Sequence, residues 1–236
     1  MKAVPGYGKI LTIGSAMTEN ALVGHVVIQE KVDGSLFRFG VNEDGEVTAG
    51  SKGQIFHDLD GAPQMFIEGA QYIKSIEEKL KKMNIKDVYF YCEYLQKPKH
   101  NTLKYDKIPK NHLVLFDCLM NGGWVNYKDL QKIANSLDID MIPVLYAGLA
   151  TTETIKDLLT TQSYLGGQTV EGVVIKNYDQ TIMLGGHVFP LFTKYVREAF
   201  KEAVDAGVEI ITLVVNWTRE GEVYFVRDDL PITPFL

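Results

Sequence analysis

The sequence predicts an α+β fold in which largely antiparallel sheets are flanked by helices. Short β-branched and aromatic runs recur along the chain, and turn residues separate them. Helical patterns occur between these runs, but they do not alternate strictly with the strands. Strict alternation is typical of a doubly wound parallel sheet, whereas many short strands with occasional helices are typical of the α+β class.

In the N-terminal half, the strands share β-branched or alternating patterns, and we expect the first three to form an antiparallel meander. They are expected at 26–31, 35–42, 46–49, 88–95 and 112–120. A helix opens at Pro63, which suits a first helical turn, and its apolar residues recur at three or four positions. The stretch between the last two strands, residues 96–111, is a polar, lysine-rich loop.

In the C-terminal half, the sequence predicts three helices and four strands. Asn126 is expected to cap the first helix through its side chain. The helices are expected at 127–137, 152–159 and 192–206, the last of them ending at Gly207. The strands are expected at 141–146 and 170–177, and as a final pair at 208–216 and 222–227.

The length fits one large domain or two small ones, and we expect a single domain over residues 1–236. The 30 acidic and 24 basic residues give a net charge of −6, which excludes a uniformly basic nucleic-acid coat but not a local basic patch. No apolar run approaches the length of a membrane span, and no signal peptide is expected. The two cysteines, Cys92 and Cys118, lie in apolar runs, so buried free thiols in a reducing cytoplasm are expected.

The segment around Lys31 suggests covalent chemistry. Lys31 ends a predicted strand, Asp33 lies two residues further on the same face, and Gly34 lets a ligand approach the backbone. A lysine fixed at a strand end suits an amine nucleophile, provided that it loses its proton before attack. The alternative is an exposed strand residue before an Asp-Gly turn, and the short motif alone does not decide between them.

Four further segments combine charged or aromatic residues with predicted strands or turns. In the run at 90–95, Glu93 interrupts an apolar strand, which is costly unless the carboxylate is paired or binds a cation. The others are Ser51-Lys52-Gly53, the run at 115–118 with Phe116, and the run at 171–176 from Glu171 to Lys176.

Taken in order, the five segments resemble motifs I, Ia, III, IIIa and IV of the covalent nucleotidyltransferase superfamily. This superfamily comprises ATP-dependent RNA and DNA ligases and mRNA capping guanylyltransferases. The stretch at 93–103, and Glu30 directly before Lys31, look most like phage-type RNA ligase domains. The resemblance implies a nucleotidyltransferase (adenylation) domain of the ligase type. Related enzymes commonly carry an OB-fold or a C-terminal domain, but only 42 residues follow Lys194, so neither is expected here.

The resemblance also implies a role for each matched residue. Lys31 would attack the α-phosphate of ATP and carry AMP, and Glu171 would hold Mg²⁺. The remaining ATP-binding residues would be Glu30, Lys52, Glu93 at the ribose, Phe116 at the adenine, Lys176 and Lys194. AMP would pass to the 5′-phosphate of a nucleic acid, RNA rather than DNA, before a 3′-hydroxyl displaces it.

Several alternatives stay open at the level of sequence. Phe116 fits a core residue and Lys52 a turn lysine. Glu171 and Lys176 lie five residues apart, so an unbroken strand points them to opposite faces. Lys194 lies at the predicted start of a helix and matches motif V loosely. The loop at 97–110 is either solvated or in contact with strand phosphates.

The functional hypotheses are an ATP-dependent RNA ligase, a DNA nick ligase with the same first step, and a capping guanylyltransferase. A nucleotide- or RNA-end-binding module without turnover is the alternative outside enzymes. For a ligase domain with little attached, we expect weak binding of the strand alone, or a protein partner that supplies further strand-binding surface.

Overall fold

The structure, a computed structural model, describes residues 4–56, 58–82 and 86–197. These ranges contain twelve strands and four α-helices, and they confirm the α+β prediction. The strands are β1 (Leu11–Thr12), β2 (His25–Lys31), β3 (Ser35–Val41), β4 (Val47–Ser51), β5 (Ile55–Phe56), β6 (Val88–Tyr94), β7 (Leu113–Met120), β8 (Gly123–Trp124), β9 (Asp140–Met141), β10 (Val144–Leu149), β11 (Gly172–Leu184) and β12 (His187–Val196). The helices are α1 (Ile67–Ser75), α2 (Glu77–Lys82), α3 (Tyr127–Leu137) and α4 (Thr152–Leu158). Short 3₁₀ helices lie at Ala16–Leu22, Gln64–Phe66 and Lys110–His112.

The strands form two sheets, which are antiparallel except at the β1–β12 and β7–β9 pairs. The first sheet has the order β1-β12-β11-β2-β10, and the second has the order β5-β4-β3-β6-β7-β8, with β9 beside β7. Each sheet buries one face in a separate core. The outer face of the first sheet packs with α4 through Val26, Ile28 and Ile155. Phe37, Phe39 and Phe90 of the second sheet pack with α1, α2 and α3.

The predicted meander of the first three strands is wrong at its first step. β3 and β4 form the expected hairpin, but β2 pairs with β10 and β11 in the other sheet. The crossing at residues 32–34 depends on Gly34, because a Cβ there would lie 2.9 Å from the Tyr94 carbonyl oxygen. Alternation of apolar residues predicts a strand and its buried face, but not its neighbour in space.

The strand predicted at 141–146 is two strands in different sheets. β9 pairs with β7, and β10 pairs with β2, so the break falls at Ile142 and Pro143. Proline cannot donate to a sheet ladder, and the Pro143 carbonyl instead accepts a hydrogen bond from the Glu30 N–H.

The helix predicted at 192–206 is wrong over its first five residues. Residues 192–196 belong to β12, which pairs with β11 after a turn at Gly185 and Gly186. β-Branched and aromatic residues there suit the pleated sheet, and tertiary pairing outweighs the weak helical pattern. Residues 198–206 of that helix and the strands predicted at 208–216 and 222–227 lie outside the described residues.

Other local predictions are confirmed. Asn126 caps α3 by accepting hydrogen bonds from the N–H groups of Lys128 and Asp129. Cys92 and Cys118 are buried free thiols. Within the described ranges, no helix is long and apolar enough to cross a membrane. A single domain over residues 1–236 stays a prediction.

Candidate active site

A cavity of about 470 Å³ is lined by residues from both sheets. Lys31, Val174 and Lys194 contribute from the first sheet, and Leu36 and Glu93 contribute from the second. These side chains lie on the sheet faces opposite the two cores. The crossing at residues 32–34 therefore places the end of β2 between the two sheets that line the cavity.

Lys31 is the last residue of β2 and lines the cavity. Its position opposite Gly172 brings it beside Glu171, the residue before β11. The Lys31 Nζ donates hydrogen bonds to Oε1 and Oε2 of Glu171 at 2.9 and 2.8 Å. Both side chains are partly open to solvent, with 25% and 21% exposed. The amine is thus partly accessible, and a nucleophilic role would require it to lose a proton and to be freed from this carboxylate.

Glu93 lies in the middle of β6 and lines the same cavity. Its Oε2 atom is buried, with no hydrogen-bond partner among the described residues. Burial raises the pKa of Glu93 to about 8; Glu171 and Asp33 also raise it, while Lys31 lowers it. A buried carboxyl oxygen without a partner is costly, and a hydroxyl group of a bound ligand would satisfy it.

The raised pKa of Glu93 predicts a specific pH dependence of stability. Between pH 4.5 and about 8, the unfolded chain loses the Glu93 proton while the folded chain retains it. Stability from this group is therefore present below pH 4.5 and lost as the pH rises through about 8. Relative to Glu93→Gln, the wild-type free energy of unfolding is expected to fall by up to about 1.4 kcal/mol per pH unit.

Urea unfolding of both proteins between pH 5 and 8.5 measures this difference. Glutamine keeps the shape of the side chain and does not titrate, so groups common to both proteins cancel. A difference between the two proteins that stays constant over this range would contradict the raised pKa.

Phe116 lines the cavity at an irregularity of β7. Tyr91 pairs with Asp117 and Cys92 pairs with Leu115, so Phe116 is the extra residue of a β-bulge. Bulges redirect a side chain relative to the regular alternation. Its ring is half-buried and packs edge-on against Tyr7, with centroids 5.0 Å apart. The bulge thus gives the cavity an aromatic surface. Phe116 is therefore more than the core residue that was the alternative at the level of sequence.

Lys176 lies on β11, and its side chain is fully buried beside Asp117. The Lys176 Nζ lies 2.8 Å from Asp117 Oδ1 and donates a hydrogen bond to the Phe116 carbonyl oxygen at 2.6 Å. The Tyr7 hydroxyl donates to Asp117 Oδ2. Burial lowers the pKa of Lys176 and raises the pKa of Asp117, while their mutual attraction opposes both shifts. Lys176 lines the cavity, but its ammonium group is already engaged by this network.

The parity problem between Glu171 and Lys176 disappears in the structure. Glu171 precedes β11, which begins at Gly172, so the alternation of the strand does not fix its side chain. Val174 and Lys176 line the cavity, whereas Val173 and Ile175 face the core. Lys176 therefore lines the cavity, whereas Glu171 is held beside it through its contact with Lys31.

Lys52 and Lys194 also line the cavity. Lys52 follows β4 and is exposed. Lys194 lies on β12 opposite Val174, not at a helix start as the sequence suggested. Its strand position places it on the cavity side of the first sheet.

Glu30 differs from the other predicted site residues. Its carboxylate accepts hydrogen bonds from the Ser163 hydroxyl at 2.5 Å and from the Tyr164 N–H at 3.2 Å. Burial raises the pKa of Glu30, although both hydrogen bonds lower it. Glu30 contributes to the cavity lining, but these partners hold its carboxylate on the opposite side of β2 from the Lys31 amine.

Sequence reasoning missed the N-terminal segment and Gln29. Tyr7, Gly8, Lys9 and Ile10 line the cavity, although no motif in the sequence marked them. Gln29 is 1% exposed, and its Nε2 atom has no hydrogen-bond partner among the described residues. The parity of β2 could have found Gln29, because it lies two residues before Lys31 on the same face.

The two sheets, with the lysine at the end of β2 between them, define a nucleotidyltransferase domain of the ligase type. The sequence matches the family model described as RNA ligase over residues 24–196, and this chain belongs to that family. The match spans all the predicted site residues.

Comparison with solved structures gives the same fold. A mutant Naegleria gruberi RNA ligase with ATP and Mn has a TM-score of 0.61 and 17% identity, covering 84% of this chain and 58% of that one. An archaeal ATP-dependent RNA ligase has a TM-score of 0.54 and 14% identity, covering 91% and 53%. A putative ATP-dependent DNA ligase from Aquifex aeolicus has a TM-score of 0.52 and 19% identity, covering 81% and 49%. The chain thus spans less than two thirds of the length of each of these structures. Comparison with curated proteins gives no match.

Proposed function

We propose that this protein is an ATP-dependent RNA ligase that joins 5′-phosphate and 3′-hydroxyl ends through a lysyl-AMP intermediate. The observation that carries the proposal is the accessible Lys31 amine at the end of β2, 2.8 Å from Glu171 and beside the cavity. Membership of the RNA ligase family supports the reaction class.

The chemistry of the cavity wall supports ATP as the ligand. The Phe116 ring offers a surface for the adenine, and the unpaired Gln29 amide suits the polar edge of a base. The Glu93 carboxyl offers its orphan oxygen to the ribose hydroxyls. Lys52 and Lys194 supply positive charge for the phosphates. Lys176 is assigned mainly to holding the Phe116 bulge, because its ammonium group bonds the Phe116 carbonyl.

The proposed reaction has three transfers. The deprotonated Lys31 amine attacks the α-phosphorus of ATP; a phosphorus–nitrogen bond forms, and pyrophosphate leaves with the electrons of the broken phosphoanhydride bond. An oxygen of the RNA 5′-phosphate then attacks the same phosphorus and returns the electron pair to Lys31, whose amine regains a proton. Finally, the 3′-hydroxyl loses its proton, attacks the 5′-phosphorus and displaces AMP.

Glu171 is the proposed ligand for Mg²⁺. Among the described residues, no group of three or more His, Cys, Asp or Glu side chains is arranged to hold a metal. One carboxylate together with substrate phosphate oxygens is a normal environment for Mg²⁺, so this donor set fits the ion. When bound, the ion supplies positive charge to the phosphates. Glu171 then faces two competing cations, since both of its oxygens accept from Lys31 in this structure.

Removal of divalent cations is the first test. Intact-mass measurement after incubation with ATP and Mg²⁺ is expected to show one added AMP, and excess EDTA is expected to suppress the adduct by at least about tenfold. Re-addition of Mg²⁺ or Mn²⁺ is expected to restore it. An adduct that forms equally well in EDTA would refute the metal assignment, and a failure to form any adduct would refute the proposed function.

A DNA nick ligase is the second candidate, since the fold is shared with the Aquifex aeolicus DNA ligase. Sealing of matched RNA and DNA nicks distinguishes the two, and we expect preference for RNA. A preference for GTP over ATP would instead indicate a capping guanylyltransferase. The free thiols of Cys92 and Cys118 fit a protein of the reducing cytoplasm. A partner protein that adds strand-binding surface stays a prediction.

A further inference from the structure

A lysine-rich segment follows β6, and we call residues 96–107 the basic loop. Lys97, Lys99, Lys104 and Lys107 are exposed there, and Asp106 is the one acidic residue of the segment. The whole chain has a net charge of −6, so this concentration of positive charge departs from the average composition. A local cluster of this kind attracts polyanions even on an acidic protein.

The four lysines of the basic loop make no ion pair with any other described residue. Seven lysines elsewhere in the described ranges do pair with carboxylates within 4 Å. Such pairs involve Lys31, Lys74, Lys81, Lys110, Lys132, Lys156 and Lys176. The charges of the basic loop are therefore available to an external anion, and binding would not require an internal ion pair to break.

Asp33 anchors the basic loop to the segment that carries Lys31. Its Oδ2 atom accepts hydrogen bonds from the N–H groups of Thr102 and Leu103, both at 2.8 Å. Its own N–H donates to the Tyr105 hydroxyl at 2.8 Å. Since Asp33 is two residues from Lys31, their Cα atoms lie within about 7 Å of each other. The basic loop is thus fixed close to the proposed nucleophile.

Two further contacts extend this anchor along the crossing between the sheets. The Asn101 side chain donates to the Gly34 carbonyl at 2.7 Å, and His100 Nε2 lies 2.9 Å from the Ser35 hydroxyl. Consecutive residues of the crossing hold consecutive residues of the basic loop. An ordered loop loses less conformational entropy on binding than a mobile one.

We propose that the basic loop binds backbone phosphates of the RNA strand whose 5′ end receives AMP from Lys31, an inference that rests on the proposed function. Its lysines supply the positive charge, and the anchor at residues 33–35 keeps the bound strand near the adenylylated amine. Each lysine that neutralises a phosphate releases condensed counterions, so binding weakens as salt concentration rises.

The test compares two triple variants that remove the same charge. The first is Lys97→Gln/Lys99→Gln/Lys104→Gln in the basic loop. The matched control is Lys82→Gln/Lys86→Gln/Lys128→Gln, three exposed lysines elsewhere that also make no ion pair with a described residue. The probe is a 5′-phosphorylated single-stranded RNA, whose binding is measured by fluorescence anisotropy from 25 to 200 mM salt.

For the loop variant, the slope of log affinity against log salt concentration is expected to be smaller in magnitude by about 2. Its affinity for the RNA at low salt is expected to fall about tenfold or more. The control variant is expected to retain the wild-type slope. Asn101→Ala, which removes no charge, is expected to weaken binding while it leaves the slope unchanged, because it loosens the anchor only.

Equal slopes for the loop variant and the wild type would overturn the proposal. An equal loss of slope and affinity in the control variant would also overturn it, since the loss of positive charge anywhere on the protein would then explain the effect. AMP adduct formation with ATP and Mg²⁺ but without RNA is read separately and is expected to be unchanged in both triple variants. That assay tests the proposed function, while anisotropy tests the basic loop, so the two ideas fail independently.

Discussion

Replacement of Lys31 by alanine is expected to abolish the AMP adduct, with a loss of at least about 10³-fold. The proposed intermediate is a bond between phosphorus and the Lys31 Nζ, and no other group can replace that atom in the same position. Lys31 is the cavity lysine that ends β2 next to Glu171. Intact-mass analysis and labelled ATP measure the adduct directly.

Lys31→Arg sharpens this test. Arginine keeps a cation beside Glu171, but its guanidinium does not deprotonate near neutral pH and cannot serve as the nucleophile. We expect it to preserve the fold and still give no adduct. Lys128→Ala, at an exposed position on α3, serves as the control and is expected to form the wild-type amount. An undiminished adduct on either Lys31 variant would place the chemistry elsewhere.

The strands and helices could be predicted well where local chemistry decides them. α3 has its cap at Asn126 and ends at Leu137, as expected, because side-chain capping and helical periodicity act within a few residues. The sheet assignment of β2 could not be predicted, since it depends on how Gly34 packs against Tyr94 on another strand. The helix predicted at residues 192–196 was wrong for the same reason, because the hydrogen-bond ladder with β11 decides their conformation.

The predicted site divides in a similar way. The structure brings Lys31, Glu93, Phe116 and Lys194 to one cavity, which the order of the motifs had implied. The direction of the Glu30 carboxylate was not predictable, because its partner Ser163 lies 133 residues away. The Tyr7–Asp117 contact spans 110 residues and leaves no local signal either. Residue types indicate the chemistry, whereas side-chain partners over long separations require the fold.

Lys176→Met is expected to lower the free energy of unfolding by about 3–5 kcal/mol. Asp117 is fully buried, and its remaining partner would be the Tyr7 hydroxyl. Removing the ammonium group leaves a buried carboxylate without its counter-charge, and the Phe116 carbonyl loses its donor. Urea unfolding at pH 7.5 measures the loss. Because the pKa of Asp117 would rise further without Lys176, the loss is expected to shrink as the pH is lowered and the carboxyl protonates.

The double variant Lys176→Met/Asp117→Asn separates charge from packing. It removes both charges and keeps an oxygen that accepts from Tyr7, so its stability is expected to lie within about 1–2 kcal/mol of wild type. A double variant as unstable as Lys176→Met would contradict the assignment of the loss to an unpaired buried charge. Adduct formation by the double variant then tests the site itself. Wild-type stability with reduced adduct would mean that the site needs the Lys176 ammonium group, whereas an undiminished adduct would confine its role to pairing with Asp117.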